Sequence, residues 1–305
     1  MTTAAPAGDT TRPATARAGF PWTDASLVVM AGIWGANFAV MKLGAAQFPP
    51  LAFNALRILL GTLVLLAMAL RHHGPWPSRA AMRRLALYGV IGNGLYQLFF
   101  VEALIRTSIA NIAIMIASTP IWLALLGHAM GTERLTSRAW AGIALSFVGI
   151  ALVLRGGAGG PAGLHSWTGD GLAAAGVACW VTYTMLMRRH TLSTDPIPLH
   201  AITLVGGVVP LLLVASPEIA RVAWASVSVG GWIALGYGAI MAIVVAYLLW
   251  YRGVRLIGPT RTAMYGNLQP IVALVVAALM LGEVPSAAQS VGCVTTVLGL
   301  LLTRS

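Results

Sequence analysis

The chain has 305 residues, 58% of them hydrophobic and 9% charged, with a mean hydropathy of +0.83 and a formal net charge of +11. Soluble domains carry about 25% charged residues, so this composition excludes an ordinary water-soluble domain. The basic residues sit in short loops between apolar runs, a membrane pattern that also argues against a nucleic-acid partner.

Residues 1–23 are rich in Ala, Thr and Pro with no apolar core of their own. They predict a disordered cytoplasmic tail and no signal peptide, with the first span acting as an uncleaved anchor. A crossing helix needs about 20 apolar residues. Spans are expected at about 25–46, 51–70, 84–105, 110–130 and 138–154, then at 169–187, 198–215, 230–251, 260–281 and 286–302. Polar or helix-breaking residues part them, for example Phe48-Pro49-Pro50, His72-His73-Gly74-Pro75 and Asp195-Pro196. Residues 156–167 form a Gly-rich linker that lacks the Gly-Lys-Ser/Thr of a phosphate loop. Cys179 and Cys293 lie in apolar segments without CxxC or CxxH context, so they read as packing residues and not as a disulfide or metal site. No residue pattern calls for a cofactor.

The linker divides two copies of one sequence, residues 24–155 and 168–303. Shifting 24–70 forward by 146 positions lays Asp24 on Asp170, Trp34 on Trp180, Met41 on Met187 and Pro50 on Pro196. Shifting 98–152 by 150 lays Pro120 on Pro270, Glu133 on Glu283 and Gly149 on Gly299. Five spans per copy is an odd number, so the second copy must enter the bilayer upside down. The expected fold is therefore an all-α integral membrane protein of ten transmembrane helices in two inverted five-helix repeats, an architecture shared by many secondary transporters. With both termini cytoplasmic, fourteen basic residues fall on the inner side and only Arg106, Arg155 and Arg221 on the outer, as the positive-inside rule requires.

Trp34-Gly35-Ala36-Asn37-Phe38, followed by Lys42, Pro49-Pro50 and Arg57, resembles the opening of the EamA repeat of the drug/metabolite transporter superfamily. So do Ala103-Leu104, Pro120, Glu133, Gly142 and Gly149, with their second copy through Pro270, Glu283, Gly292 and Gly299. The resemblance covers nearly all of residues 24–303. It implies an inner-membrane carrier, often an exporter of amino acids or other small metabolites, working by alternating access. The second copy departs from the pattern where Gly35-Ala36-Asn37 becomes Val181-Thr182-Tyr183 and Arg57 becomes Thr203, so any role of Asn37 or Arg57 is single-sided.

Several helical faces carry more polar and aromatic side chains than lipid contact favours. Trp34, Asn37, Phe38 and Met41 share a stripe on span 1, repeated by Trp180, Tyr183, Thr184 and Met187 on span 6. Span 3 offers Asn93, Tyr96, Gln97 and Phe100, and span 8 offers Tyr247, Trp250 and Tyr251. Any one buried amide can be satisfied by a neighbouring helix. Together the set points to a water-filled central cavity lined by aromatics and amides.

Pro120 and Pro270 fall in the middle of spans 4 and 9, each freeing the carbonyl four residues back. That gives either a static kink or a hinge, with Asn111, Met115, Ser118 and Trp122 around the first and Tyr265 and Gln269 around the second. Charge within a span is functional by default. Lys42, the chain's single lysine, either snorkels to the outer interface or faces the cavity. Arg57, about two turns into span 2, either pairs with Glu102 or attracts a substrate carboxylate. Glu102 is the leading carboxylate for proton coupling, with His128 as the alternative. Glu133 and Glu283 are expected to cap neighbouring helix starts. Gly142, Ser146 and Gly149 on span 5, with Gly292, Thr296 and Gly299 on span 10, form small-residue faces suited to close packing at the periphery or at a homodimer contact.

The expected partners are thus a small-molecule substrate and the lipid bilayer. An exchanger of phosphorylated or nucleotide-linked metabolites would place several Lys or Arg residues mid-span, and a membrane enzyme would show an HExxH, a GxSxG or paired mid-span acids. A membrane scaffold would need neither amide-lined faces nor matched prolines.

Overall fold

The computed structural model describes residues 20–106, 112, 115–116, 118–131, 135–156, 167–272, 275–276 and 286–304. Residues 1–19, Asn111, Glu133, Glu283 and linker residues 157–166 lie outside this set, as do the side chains of Phe38 and Lys42. Among the described residues the secondary structure is entirely helical. In chain order the first half contains α1 (Phe20–Ala45), α2 (Pro50–Leu70), α3 (Arg79–Gly89), a π-helical segment (Val90–Leu95), α4 (Tyr96–Leu104), α5 (Thr119–Ala129) and α6 (Ser137–Gly156). The second half contains α7 (Trp167–Ser193), α8 (Pro196–Ile219), α9 (Val229–Tyr237), a second π segment (Gly238–Val245), α10 (Ala246–Ile257), α11 (Pro259–Gly266) and α12 (Ala287–Arg304).

Five described helices are long and apolar enough to cross a membrane: Trp22–Ala45, Pro50–Leu70, Trp167–Ser193, Pro196–Ile219 and Val229–Ile257. Their outer faces bear large apolar side chains, with Leu213 exposed by 71% and Ile233 by 66%, as expected where lipid is the solvent. The third expected span is the continuous run α3–π–α4, whose amides Asn93 and Gln97 and starting arginines lower its hydropathy. Helix α7 runs on through Arg188 and Arg189 to Ser193, past the expected end of span 6.

The two halves share their local devices. Pro50 and Pro196 each occupy the first turn of a helix, where no amide donor is needed. Ser78 caps α3 by accepting from the Ala81 amide, and Ser228 caps α9 by accepting from the Gly231 amide. The π segments stand in the corresponding helices of the two halves.

Matched helices pack antiparallel. Glu218, at the end of α8, accepts from the Leu51 and Ala52 amides at the start of α2, both at 3.0 Å. At the other end of the same pair, His72 Nε2 lies 3.0 Å from Asp195 Oδ2 beside the start of α8. Removal of the Glu218 carboxylate by E218A is expected to lower stability by about 1 kcal/mol, the usual worth of a helix cap. The readout is a lower thermal midpoint in detergent with transport retained.

The small-residue faces of α6 and α12 pack against each other within the chain. A side-chain carbon added at Gly149 would meet the Thr296 amide, one at Gly299 would meet Ser146, and Ser146 donates to the Thr296 carbonyl at 3.3 Å. The close-packing faces that the sequence offered on these two spans thus meet each other. Close backbone approach is available inside one chain, where no association entropy is lost.

Candidate functional site

The aromatic stripes of the two halves converge. Trp34 on α1 and its counterpart Trp180 on α7 meet edge-on, with centroids 6.5 Å apart. Both pack on Tyr247, at 5.5 and 5.7 Å, and on Trp250, at 5.9 and 5.3 Å. Tyr96 and Tyr183 complete the group against Trp180, at 5.3 and 5.7 Å. Tyr183, Tyr247, Trp250 and Tyr251 are exposed by 0 to 3%, while Trp34, Trp180 and Tyr96 are half-buried. The residues that the sequence offered as a cavity lining thus come together, and their edge-to-face and tilted contacts are favourable at these separations.

Side-chain donors reach main-chain carbonyls in or next to the π segments. A π turn is wider than an α turn and re-aims its carbonyls. The Trp34 indole donates to the Ala242 carbonyl at 3.0 Å, and His200 Nε2 to the Ile243 carbonyl at 3.0 Å. The Asn54 amide approaches the Gln97 carbonyl at 3.5 Å. The shift of 146 that lays Trp34 on Trp180 also lays Asn54 on His200.

Arg57 belongs to the first of these networks. It is exposed by only 3%. Its Nε donates to Asn54 Oδ1 at 2.9 Å and its Nη2 to Gln97 Oε1 at 3.2 Å, and it faces the phenols of Tyr247 and Tyr96. The Arg57–Glu102 pair that the sequence allowed is not formed. Glu102 bonds Arg106, one turn along its own helix, through both its carbonyl and its carboxylate. Arg57 is level with Gln97, five residues and roughly 7 Å of helical rise deeper.

The second network is His200, Thr203, Tyr251, Tyr183 and Asn93, all buried. Tyr251 lies 3.2 Å from His200 Nδ1, Tyr183 and Tyr251 share a short hydroxyl–hydroxyl bond, and Asn93 Nδ2 reaches Tyr183 at 3.5 Å. His200 stacks on Tyr247 at 4.6 Å and 9°. Sequence reading missed Asn54, His200 and Thr203 as site residues. The repeat shift was the signal, since it places His200 on Asn54, one turn before Arg57.

Among the described residues four buried side-chain atoms lack a hydrogen-bond partner: Asn37 Oδ1, Arg57 Nη1, Asn93 Oδ1 and Thr184 Oγ1. They sit on α1, α2, the first π segment and α7. Asn37 is one turn beyond Trp34, and Thr184 one turn beyond Trp180. Buried polar atoms are normally satisfied, so four orphans around one aromatic cluster require an explanation.

The other predicted residues are placed apart. Ser118 and Trp122 line a separate groove of about 370 Å³, with Met115, Val177 and Thr182. There the half-exposed Trp122 indole donates to Ser118 Oγ at 3.1 Å. Tyr265 is buried and donates to the Asp24 carboxylate at the start of α1. Gln269 folds over Gly266, and Gly35 on α1 touches Val272 and the Gln269 carbonyl so closely that a side chain there would collide with them. His128 is exposed. Pro120 and Pro270 do not kink continuous helices. Each follows a break, at Ser118 and at Asn267–Leu268, and stands in the first turn of the segment that resumes, where a missing amide costs nothing.

The profile of the EamA-like transporter family matches residues 21–155 and again 167–305. The "Uncharacterized transporter YyaM" of Bacillus subtilis is 29% identical over 271 residues, 88% of each chain. The "Uncharacterized inner membrane transporter YedA" of Escherichia coli K12 is 27% identical over 259 residues, covering 82% of this chain and 80% of that one. The "Probable amino-acid metabolite efflux pump" of Salmonella typhimurium is 26% identical over 285 residues, 91% of this chain and 92% of that one. A solved crystal structure superposes with a TM-score of 0.74 at 20% identity, covering 92% of this chain and 98% of the other, which shows a common fold.

Proposed function

The chain belongs to the EamA-like transporter family, and on that premise we propose that it is a secondary transporter exporting amino acids or related small organic compounds across the inner membrane. In this reading ten helices form two inverted five-helix repeats, both termini are cytoplasmic, and the cargo crosses by alternating access between the repeats. The observation that carries it is the set of four orphaned polar atoms. A zwitterion suits them: the Arg57 guanidinium matches a carboxylate, and Asn37 Oδ1, Asn93 Oδ1 and Thr184 Oγ1 can accept from an ammonium group. The adjoining rings suit an apolar or aromatic side chain. The relative named as an amino-acid metabolite efflux pump supports the same cargo class. A phosphorylated cargo would call for a second cation, and Arg57 is the only Lys or Arg among the described buried side chains.

The deciding experiment is efflux and counterflow of a panel of labelled amino acids in proteoliposomes, with phosphorylated metabolites as a comparison set. Transport of aromatic or large apolar amino acids supports the reading, and silence across the amino acids with movement of a phosphate ester overturns it.

The helix breaks before Pro120 and Pro270 are the hinges in this reading. Alanine at either position would let the helix run through the break, stiffening it. P120A and P270A are each expected to slow turnover by roughly tenfold, a barrier change near 1.4 kcal/mol, with membrane insertion and folded yield unchanged. Wild-type rates in both variants would remove the hinge from the mechanism.

A further inference from the structure

His200 is fully buried on α8, one turn inside Pro196, and its donors and acceptors are matched to the neutral ring. Nε2 faces the Ile243 carbonyl, which can only accept, so Nε2 carries the hydrogen. Nδ1 is then an acceptor and takes the hydroxyl hydrogen of Tyr251. Tyr251 is also bonded to Tyr183, which accepts from Asn93 and reaches Thr203 Oγ1 at 3.3 Å. Thr203 has its own hydrogen committed to the His200 carbonyl at 2.9 Å, so it offers Nδ1 no alternative donor. Among the described residues no carboxylate is bonded or ion-paired to His200. The groups that face it are Thr203 on its own helix, Tyr247 and Tyr251 on α10, Tyr183 on α7 and Asn93 on the first π segment. From α2, Arg57 approaches across Tyr247, and Asp195, beside the start of α8, is engaged by His72.

A second proton on this ring would be a buried charge in the closed arrangement. The Tyr251, Tyr183 and Thr203 hydroxyls can turn to accept it, but no carboxylate among the described residues is bonded or ion-paired to His200 to compensate it, and burial of unpaired charge is costly. Opening the inner end of α8 to water removes that penalty. A group whose proton affinity differs between two conformations shifts their balance with pH. Glu102 and His128, the sequence-based choices for this role, are held by Arg106 and exposed, respectively.

We propose that His200 is the proton-binding group of this transporter, neutral when the centre is packed shut and protonated when the cytoplasmic end of α8 opens. One proton from water adds to Nδ1 on opening and returns to water on closing, and no other bond changes. The role rests on the transporter reading, but its first test needs no cargo.

Wild-type protein in lipid nanodiscs should show a step in tryptophan fluorescence over about pH 5 to 8, the range in which histidine titrates. Trp34, Trp180 and Trp250 report it, because they pack on the Tyr247 that stacks on His200. The open population should change by about tenfold per pH unit through the step, the limit for one proton. H200Q and H200N should abolish the step, while H72Q and H128Q keep it. In proteoliposomes, a pH gradient should accelerate efflux by wild type and not by H200N. A flat wild-type titration, or a step that persists in H200Q and H200N, overturns the proposal. Absence of counterflow for every amino acid would instead count against the cargo, and the fluorescence result would still decide His200.

Discussion

Replacement of Arg57 by glutamine is expected to reduce transport of carboxylate-bearing cargo by about tenfold to a hundredfold. The estimate follows from the worth of a hydrogen bond to a charged group, about 1.5–3 kcal/mol, at 1.4 kcal/mol per factor of ten. The same substitution should leave stability unchanged or raise it. Arg57 is 3% exposed, its Nη1 has no partner, and no carboxylate among the described residues pairs with it. An uncompensated buried charge is a burden on the fold, so removing it relieves the fold while depriving the cargo. Decarboxylated amine analogues of a transported amino acid should lose far less than the parent. Loss of folded R57Q protein would mean that the bonds to Asn54 and Gln97 hold the helices together. An equal loss for amines and amino acids would mean that Arg57 does not recognise the carboxylate.

The second large effect concerns the contact between α3 and α8, which carry Asn93's segment and His200. A side chain at Gly89 would fall on the Thr203 carbonyl, and one at Gly206 on the Ala86 carbonyl, well inside any real contact distance. A side chain at the neighbouring Gly207 would come within 2.6 Å of both Asn93 Cβ and the Gly89 carbonyl. The obstacles are backbone atoms, so no rotamer change relieves them and the helix axes must move apart. G89A and G206A are each expected to cost about 3 kcal/mol, at the upper end of overpacking penalties, seen as a lower thermal midpoint and reduced folded yield. G171A, where a side chain would meet nothing, is the control and should be silent. Full stability in G89A would show that α3 and α8 have room to separate. The His200–Asn93 chain would then not depend on their close approach.

Much of this molecule was open to reading without coordinates. The helical segments, the doubled sequence and the prolines that begin α2 and α8 are properties of short stretches of chain. Apolar length, 3.6-residue periodicity and the missing proline amide act locally, and their effects add along the sequence. The repeat shift also pairs Trp34 with Trp180, and the two rings meet in the structure.

Partner choice was not local. Whether Arg57 meets Glu102 or Gln97 turns on roughly 7 Å of offset between two helices, and nothing in either helix sets that offset. The π segments add a second obstacle. A wider turn changes the phase of every later side chain, so Asn93, Tyr96, Gln97 and Phe100, one face at ideal spacing, divide into buried amides and half-buried rings. Whether the aromatic rings enclose water or one another depends on the separation of α1, α7 and α10, and glycine contacts such as Gly89 on Thr203 determine comparable spacings elsewhere in the core. The sequence by itself determined which segments form long apolar helices and which positions of the two copies correspond. Only the tertiary structure decided which polar groups meet, because a hydrogen bond is won or lost within an ångström and that distance belongs to pairs of helices, not to either one.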